Sequence, residues 1–312
     1  MAKKLKFLVS LSTEDNDYQM EQALAAEEAA TRLGVDVEVI FANNDAITQS
    51  QQLLKVIQGD KASYPDAIIF QPVGGTALPR VAEAAAAAGI GWVVLNRQAE
   101  YATELRRTAR APIFSISSDH TEIGHIQAQQ IVTLLPQGGT VVYIEGPSDS
   151  VAVRQRATGM QQRVPPNINF ITLKGKWTSE SAHRAASSWM KLSTSQKLPV
   201  SMICAQNDAM AMGARKAFQE QTDDSAHVKW LSLPYIGVDG LPKTGQAFVR
   251  SGLLTATVIV PPNTPLAMKI LVDAISKGTQ PAPMAFTVPL SFPSIEVLAS
   301  KRTEGHRAFA SD

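Results

Sequence analysis

Val200-Ser201-Met202-Ile203-Cys204-Ala205-Gln206-Asn207-Asp208-Ala209-Met210-Ala211-Met212-Gly213-Ala214 runs from an apolar strand, through a polar Gln-Asn-Asp step, into a small-residue helix. The step sets an uncharged amide beside a carboxylate at the carboxyl end of a strand, which is where ligands sit in open α/β sheets. The same arrangement recurs with other polar tips at Phe70-Gln71-Pro72, Leu95-Asn96-Arg97, Ser117-Ser118-Asp119 and Gly237-Val238-Asp239-Gly240. Together these ends offer amides, a guanidinium and carboxylates, the groups that read a neutral, hydroxyl-rich molecule.

Outward from this stretch, short apolar runs alternate with amphipathic, alanine-rich segments, the pattern of parallel βαβ units. Strands are expected at 6–11, 35–41, 67–70 and 92–95, with helices at 18–33 (ended by Gly34), 46–59 and 78–88. A second block repeats the rhythm, with strands at 140–145, 168–173, 201–205, 233–238 and 254–260. Its helices fall at 122–135, 150–163, 179–192, 210–219, 241–251 and 263–277. Pro112-Ile113-Phe114-Ser115-Ile116 lies between the blocks without a Gly/Ser-rich linker and reads as an ordered hinge strand. Pro261-Pro262 and the proline-rich run 281–293 mark further crossings, and the polar tail 299–312 has no periodicity. The expectation is an α/β protein of two Rossmann-like lobes with parallel sheets, joined by a multi-strand hinge. One lobe takes 1–115 with 261–288, the other 116–260 with 289–312.

Composition narrows the function classes. A chain of 312 residues exceeds the roughly 250–300 at which one core stops growing, which agrees with two lobes. Lys and Arg number 29 against 28 Asp and Glu, a net charge of +1, so no basic footprint for nucleic acid is present. The first strand begins by Lys6, leaving no room before it for a helix-turn-helix of some 50–60 residues. The lone cysteine, Cys204, sits in an apolar strand and reads as a small buried hydrophobe. Met1-Ala2-Lys3-Lys4 is basic, but Phe7-Leu8-Val9 is interrupted by Ser10, Ser12 and Thr13, short of the ~7–15 apolar residues of a signal sequence. No run approaches the ~18 apolar residues of a membrane span. As written the chain stays where it is made, and a trimmed secretory protein would read the same.

Enzyme motifs are missing. No glycine stands in Leu11-Ser12-Thr13-Glu14-Asp15-Asn16, Gly74-Gly75 lacks the third glycine of a dinucleotide fingerprint, and neither a P-loop nor Gly-x-Ser-x-Gly occurs. His120 and His125 are five apart, off one helix face, so neither a metal nor another cofactor is implied.

The Gln206-Asn207-Asp208 turn with its helix, Gly237-Val238-Asp239-Gly240, Leu95-Asn96-Arg97-Gln98 and Arg156-x-x-Gly159 occur in an order and spacing that resemble the type I periplasmic binding proteins of the ribose/galactose group. That fold is shared with the effector domain of LacI-type regulators. The resemblance runs from the first strand to about Val297. It implies a sugar or polyol held in a cleft between lobes that close on a hinge, with Asn16 and Tyr18 hydrogen-bonding and stacking on the sugar. Gln71, Asn96 and Arg97 follow in the first lobe, and Arg156, Trp177, Asn207 and Asp239 in the second. The physical logic agrees, because vicinal hydroxyls pair with amides, carboxylates and Arg while C–H faces lie on aromatics. Three positions depart from the ribose pattern. Gln19 stands where a second aromatic is expected, Asn96 replaces an aspartate, and Val260 replaces a glutamine. At about 1–3 kcal/mol per charge-assisted bond, these changes leave a different polyol or a modified sugar as open as ribose.

Structural roles stand beside these. Asp208 could cap its helix, Asp239 could serve turn chemistry before Gly240, Arg97 could pair on the surface, and Trp177 could be lobe core. Trp189, Met210 and Met212 read as core. By the resemblance the partner is an ABC permease or a receptor and the location periplasmic; a cytoplasmic chain would report to a sensor partner. A monomer is expected.

Overall fold

The computed structural model describes residues 4–73, 78–192, 198–221 and 224–300. It divides into two compact units, Met1–Ser118 with Pro261–Val288, and Asp119–Val260 with Pro289–Asp312. Each is built on a six-stranded sheet.

In unit 1 the strands are β1 (Lys6–Leu11), β2 (Asp36–Phe41), β3 (Ala67–Phe70), β4 (Gly91–Leu95), β5 (Ile113–Ser118) and β11 (Met284–Thr287). They lie in the order β11-β5-β4-β3-β1-β2, all parallel. Alternation along the strands divides the core, as the period-two pleat requires. Phe7, Val9 and Leu11 of β1 join Ile69, Val93 and Phe114 beneath α1 (Asp17–Leu33) and α11 (Thr264–Lys277). Leu8, Ile68, Phe70 and Trp92 face α2 (Ala46–Ile57), α3 (Pro79–Ala87) and α4 (Glu100–Thr108). Both faces are covered, which is why the central strands β3 and β4 read as unbroken apolar runs.

Unit 2 repeats the plan with β6 (Gly139–Glu145), β7 (Ile168–Lys174), β8 (Val200–Ala205), β9 (Tyr235–Asp239), β10 (Ala256–Ile259) and β12 (Leu290–Phe292). Their order is β12-β10-β9-β8-β6-β7, with only β12 antiparallel. α7 (Ser179–Met190) and α8 (Asp208–Gln219) cover one face, where Trp189, Met210 and Phe218 are core and Met212 packs at its margin. α5 (His120–Leu134) and α6 (Val151–Arg163) cover the other, over Val141, Tyr143 and Cys204. These two helices meet backbone to backbone: a Cβ on Gly159 would lie 2.1 Å from Thr121 O, and one on Gly124 2.1 Å from Arg156 O. Glycine is therefore required at both places, and α6 is seated with little freedom to shift.

Several elements differ from expectation. The segment read as a hinge strand is β5, a fully buried internal strand between β4 and β11. The apolar burial of Ile113, Phe114 and Ile116 makes it core, and the chain changes unit only after Ser118. Helices α4 and α9 (Asp224–Ser232) have no counterpart in the sequence pattern, because each spans only 9 residues and α4 is rich in charge (Glu100, Glu104, Arg106, Arg107), and α10 (Gly245–Arg250) is shorter than the 241–251 expected. The proline-rich stretch carries β11 and β12, each pairing at a sheet edge where proline's missing N–H does no harm. Gly74-Gly75 and the tail beyond 300 lie outside the described residues.

Candidate functional site

In each unit the first five strands share one order, 2-1-3-4-5, so the reversal of strand order falls between β1 and β3 in unit 1 and between β6 and β8 in unit 2. Chains leave in opposite directions there, opening a crevice at the carboxyl ends. The residues singled out from the sequence follow these ends.

In unit 1, Asn16 caps α1, its Oδ1 accepting from Gln19 N at 3.2 Å. Gln19 is buried, and its Oε1 accepts from Ser12 N at 3.3 Å, so its amide closes the β1–α1 connection. Tyr18 donates its hydroxyl to Pro261 O at 3.3 Å, tying the start of α1 to the segment leading into α11. After β3 and β4, Gln71 and Asn96 are brought into direct contact, Asn96 Nδ2 donating to Gln71 Oε1 at 2.8 Å. Gln71 is itself seated by its carbonyl, which accepts from the buried Gln49 Nε2 at 2.9 Å. Asn96 has φ 62°, a left-handed conformation that Asn tolerates better than most residues. Arg97, half-buried, follows it. Asn263, a contact that the sequence pattern does not reveal, is fully buried and donates to Asn96 Oδ1.

In unit 2, Arg156, Trp177 and Asn207 form one cluster. Arg156 is buried, donates from Nη1 to Gln206 O and from Nε to His120 Nδ1 at 3.4 Å, and lies 5.5 Å from the centroid of the Trp177 ring. Trp177 presses on Gly146, where a Cβ would come within 2.6 Å of the ring. Asn207 caps α8, Oδ1 accepting from Met210 N at 2.8 Å, and its Nδ2 donates to Trp177 O at 2.9 Å. That bond holds the connection after β7, where Trp177 has φ 65°. Gln206 lies wholly inside, bridging Gly146 N, Tyr143 Oη and Val153 O, and so spans the reversal between β6 and β8.

The acidic pair resolves into two roles. Asp208 is not the cap of α8, since Asn207 holds that position. It is buried, accepting from Thr257 Oγ1 at 2.7 Å and from Gly240 N at 2.8 Å, and a Cβ on Gly237 or Gly245 would strike it. Burial first, and the charge of Asp239 second, push its carboxyl well above the usual range. Asp239 is half-buried at the end of β9, with φ 104° ahead of Gly240. His120, considered in the sequence only as a metal ligand, instead accepts from Arg156. Burial, then the neighbouring guanidinium, hold its pKa down at about 3, so the ring is neutral with its proton on Nε2. Its place directly after the Asp119 cap of α5 gave no sequence signal, because Arg156 is thirty-six residues away.

Among the described residues no cluster of His, Cys, Asp and Glu is placed to hold a metal ion, and no helix is long and apolar enough to cross a membrane. Cys204 is buried, and burial raises its thiol far above the usual range, leaving it inert.

Comparison with known proteins agrees with this architecture. Residues 7–279 match the family model described as a periplasmic binding protein domain. The chain is 27% identical over 280 residues to the ribose import binding protein RbsB of Salmonella typhimurium, covering 89% of this chain and 86% of the relative. Among solved structures, an ABC transporter periplasmic solute binding protein from Actinobacillus succinogenes with bound D-allose superposes with a TM-score of 0.78 at 21% identity, covering 92% of this chain and 97% of the other. The Caulobacter myo-inositol binding protein superposes with a TM-score of 0.74 at 22% identity, covering 97% and 98%. The chain belongs to the periplasmic binding protein domain family and has its type I, two-sheet fold.

Proposed function

We propose that this protein is a solute-binding protein that captures a small, neutral, polyhydroxylated ligand, a sugar or polyol, by hinge closure. The strand-end groups of both units share the contacts. The observation that carries this reading is the repetition of one device in both units: at each reversal of strand order, a buried glutamine amide braces the backbone of the connection at the carboxyl ends of the sheet, Gln49 on Gln71 O and Gln206 on Gly146 N, where the polar side chains gather. Gln71, Asn96 and Arg97 supply them in unit 1, and Arg156, Asn207 and Asp239 in unit 2, with Tyr18 and Trp177 as aromatic neighbours. The relatives' ligands, ribose, D-allose and myo-inositol, are of this class. A binding protein, not an enzyme, is what the family supports.

The ligand binds better when both units engage it, so it shifts the population by that difference in affinity. The proposed role is delivery of the solute to an ABC permease from the periplasmic side, by a monomer. A thermal-shift screen against pentoses, hexoses, inositols, amino sugars and nucleosides tests the reading. A ligand at 100 times its Kd adds about 2.7 kcal/mol, a shift of a few degrees. The hit is expected to vanish in Arg97→Ala and in Arg156→Lys. Silence across the panel overturns the ligand class.

A further inference from the structure

The chain leaves or re-enters unit 1 at three places: after Ser118, after Val260 and after Val288. One row of side-chain hydrogen bonds links residues beside all three to the ends of β3 and β4. Thr287 Oγ1 donates to Asn263 Oδ1 at 2.9 Å. Ser118 Oγ lies 3.3 Å from Thr287 Oγ1, and because the Thr287 proton is already committed, Ser118 is the donor of that pair. Asn263 Nδ2 donates to Asn96 Oδ1, and Asn96 Nδ2 donates in turn to Gln71 Oε1.

The row has a direction. Each amide accepts on one side and donates on the other, so the last group, Gln71, has its oxygen occupied. No described residue accepts from its Nε2, and Gln71 is only half-buried. Asn263 is fully buried, so water cannot replace its two bonds. Asn96, at φ 62°, depends on its surroundings to stay in that conformation. A carboxylate at position 96 could accept from Asn263 but could not donate to Gln71 Oε1. The amide at this position is what lets the row continue.

We propose that Asn263 is a positioning residue for the ligand groups of unit 1. Through Asn96 it fixes Gln71 with Nε2 presented outward, so the ligand oxygen that meets Gln71 is a hydrogen-bond acceptor, and it ties this orientation to the segments at which the chain changes unit. The ligand part rests on the proposed solute-binding function; the ordering of the amides does not.

The test therefore has two arms. In ligand-free, 15N-labelled protein the side-chain NH2 groups of Asn96 and Asn263, both donating hydrogen bonds, are expected to exchange with solvent about tenfold or more slowly than that of Gln71. Asn263→Leu abolishes the protection of Asn96 while the backbone amides of β4 stay protected. Asn263→Asp keeps Asn96 protected, because the carboxylate accepts from a turned Asn96, but turns Gln71 to present its oxygen. Should Asn263→Leu fail to fold, Thr287→Val, which removes only the hydroxyl, is expected to loosen the same amides.

In the second arm, calorimetry with D-ribose, D-allose and myo-inositol is expected to show affinity for the sugar that binds falling about tenfold or more in both Asn263 variants. Loss of affinity with Asn96 still protected, in Asn263→Asp, is a result that a purely structural Asn263 does not give. Unchanged exchange of Asn96 in Asn263→Leu, or parent-like affinity in both variants, overturns the proposal. Failure of every sugar to bind the parent protein contradicts the solute-binding reading instead, and the exchange arm then decides the amide ordering by itself.

Discussion

The strand-end clusters of the two units do the same structural job with different chemistry. The hydrogen-bonded row that orders the strand ends of unit 1, beside Arg97, is built from amides and hydroxyls, Gln71, Asn96, Asn263, Thr287 and Ser118, none of which titrates. Unit 2 buries ionisable groups: Arg156 against His120 and Trp177, and Asp208 beside Asp239. An amide row is directional and indifferent to pH, whereas buried ions hold their geometry only in one protonation state. The two halves of the proposed site are therefore expected to respond differently to mutation and to pH.

The strongest break is at the seat of the charged cluster. Gly159→Ala drives a Cβ into Thr121 O and displaces the helix that carries Arg156. It is expected to cost about 3 kcal/mol or more, read as a fall in the urea midpoint together with loss of ligand binding. Among the described residues no comparable glycine contact supports the Gln71 or Asn96 side chains, which are ordered by other side chains.

Next comes Asp208→Ala, which strands the Thr257 hydroxyl and the Gly240 N–H in the interior at a cost of about 2 kcal/mol. Asp208→Asn sharpens the point through pH. A carboxyl raised above its ordinary 3.8 favours the folded state most when protonated, so its contribution is full below that value and declines as pH rises toward the folded pKa. The Asn variant is expected to gain stability relative to the parent as pH goes from 4 to 8, measured as the difference in Tm.

His120 has the opposite sign. Its pKa falls from 6.5 to about 3, so its contribution is full above 6.5 and is lost as pH drops toward 3. Native-state hydrogen exchange at pH 7 and pH 5 is expected to show amides of α6 and β8 losing protection in the parent but less so in His120→Asn. Amides of β3 and β4, beside the amide row, are expected to change little. The smallest effect is at Asn16→Ala, which removes the cap of α1 for about 1 kcal/mol, seen as a small drop in Tm with the unit 2 exchange pattern intact.

What could be read from the chain alone follows the same physics. Strands such as Ala67–Phe70 and Val200–Ala205 are buried on both faces and stand out as apolar runs, and Gly34 ends α1 in the left-handed conformation that its position implied. The polar tips at Gln71, Asn96, Asn207 and Asp239 were legible because each lies at or within two residues of the end of its own strand. Partners supplied from far along the chain were not legible. Asn263 reaches Asn96 across 167 residues, and His120 reaches Arg156 across 36. Asp208 looked like a cap because it begins a helix, and only burial against Thr257 and Gly240 shows otherwise. Placing β5 in a hinge had a related cause: strand pairing with β4 and β11 is a tertiary fact that the local sequence does not carry.

The central claim is that both clusters serve one ligand. The direct measurement is a 15N-detected titration of the parent protein with the sugar that gives the thermal shift, following the Gln71 and Asn96 amides in unit 1 and the Trp177 indole and Asn207 amide in unit 2. The account predicts that signals from both units move together along one saturation curve with a single Kd. Shifts confined to one unit, or two curves with different midpoints, would contradict it.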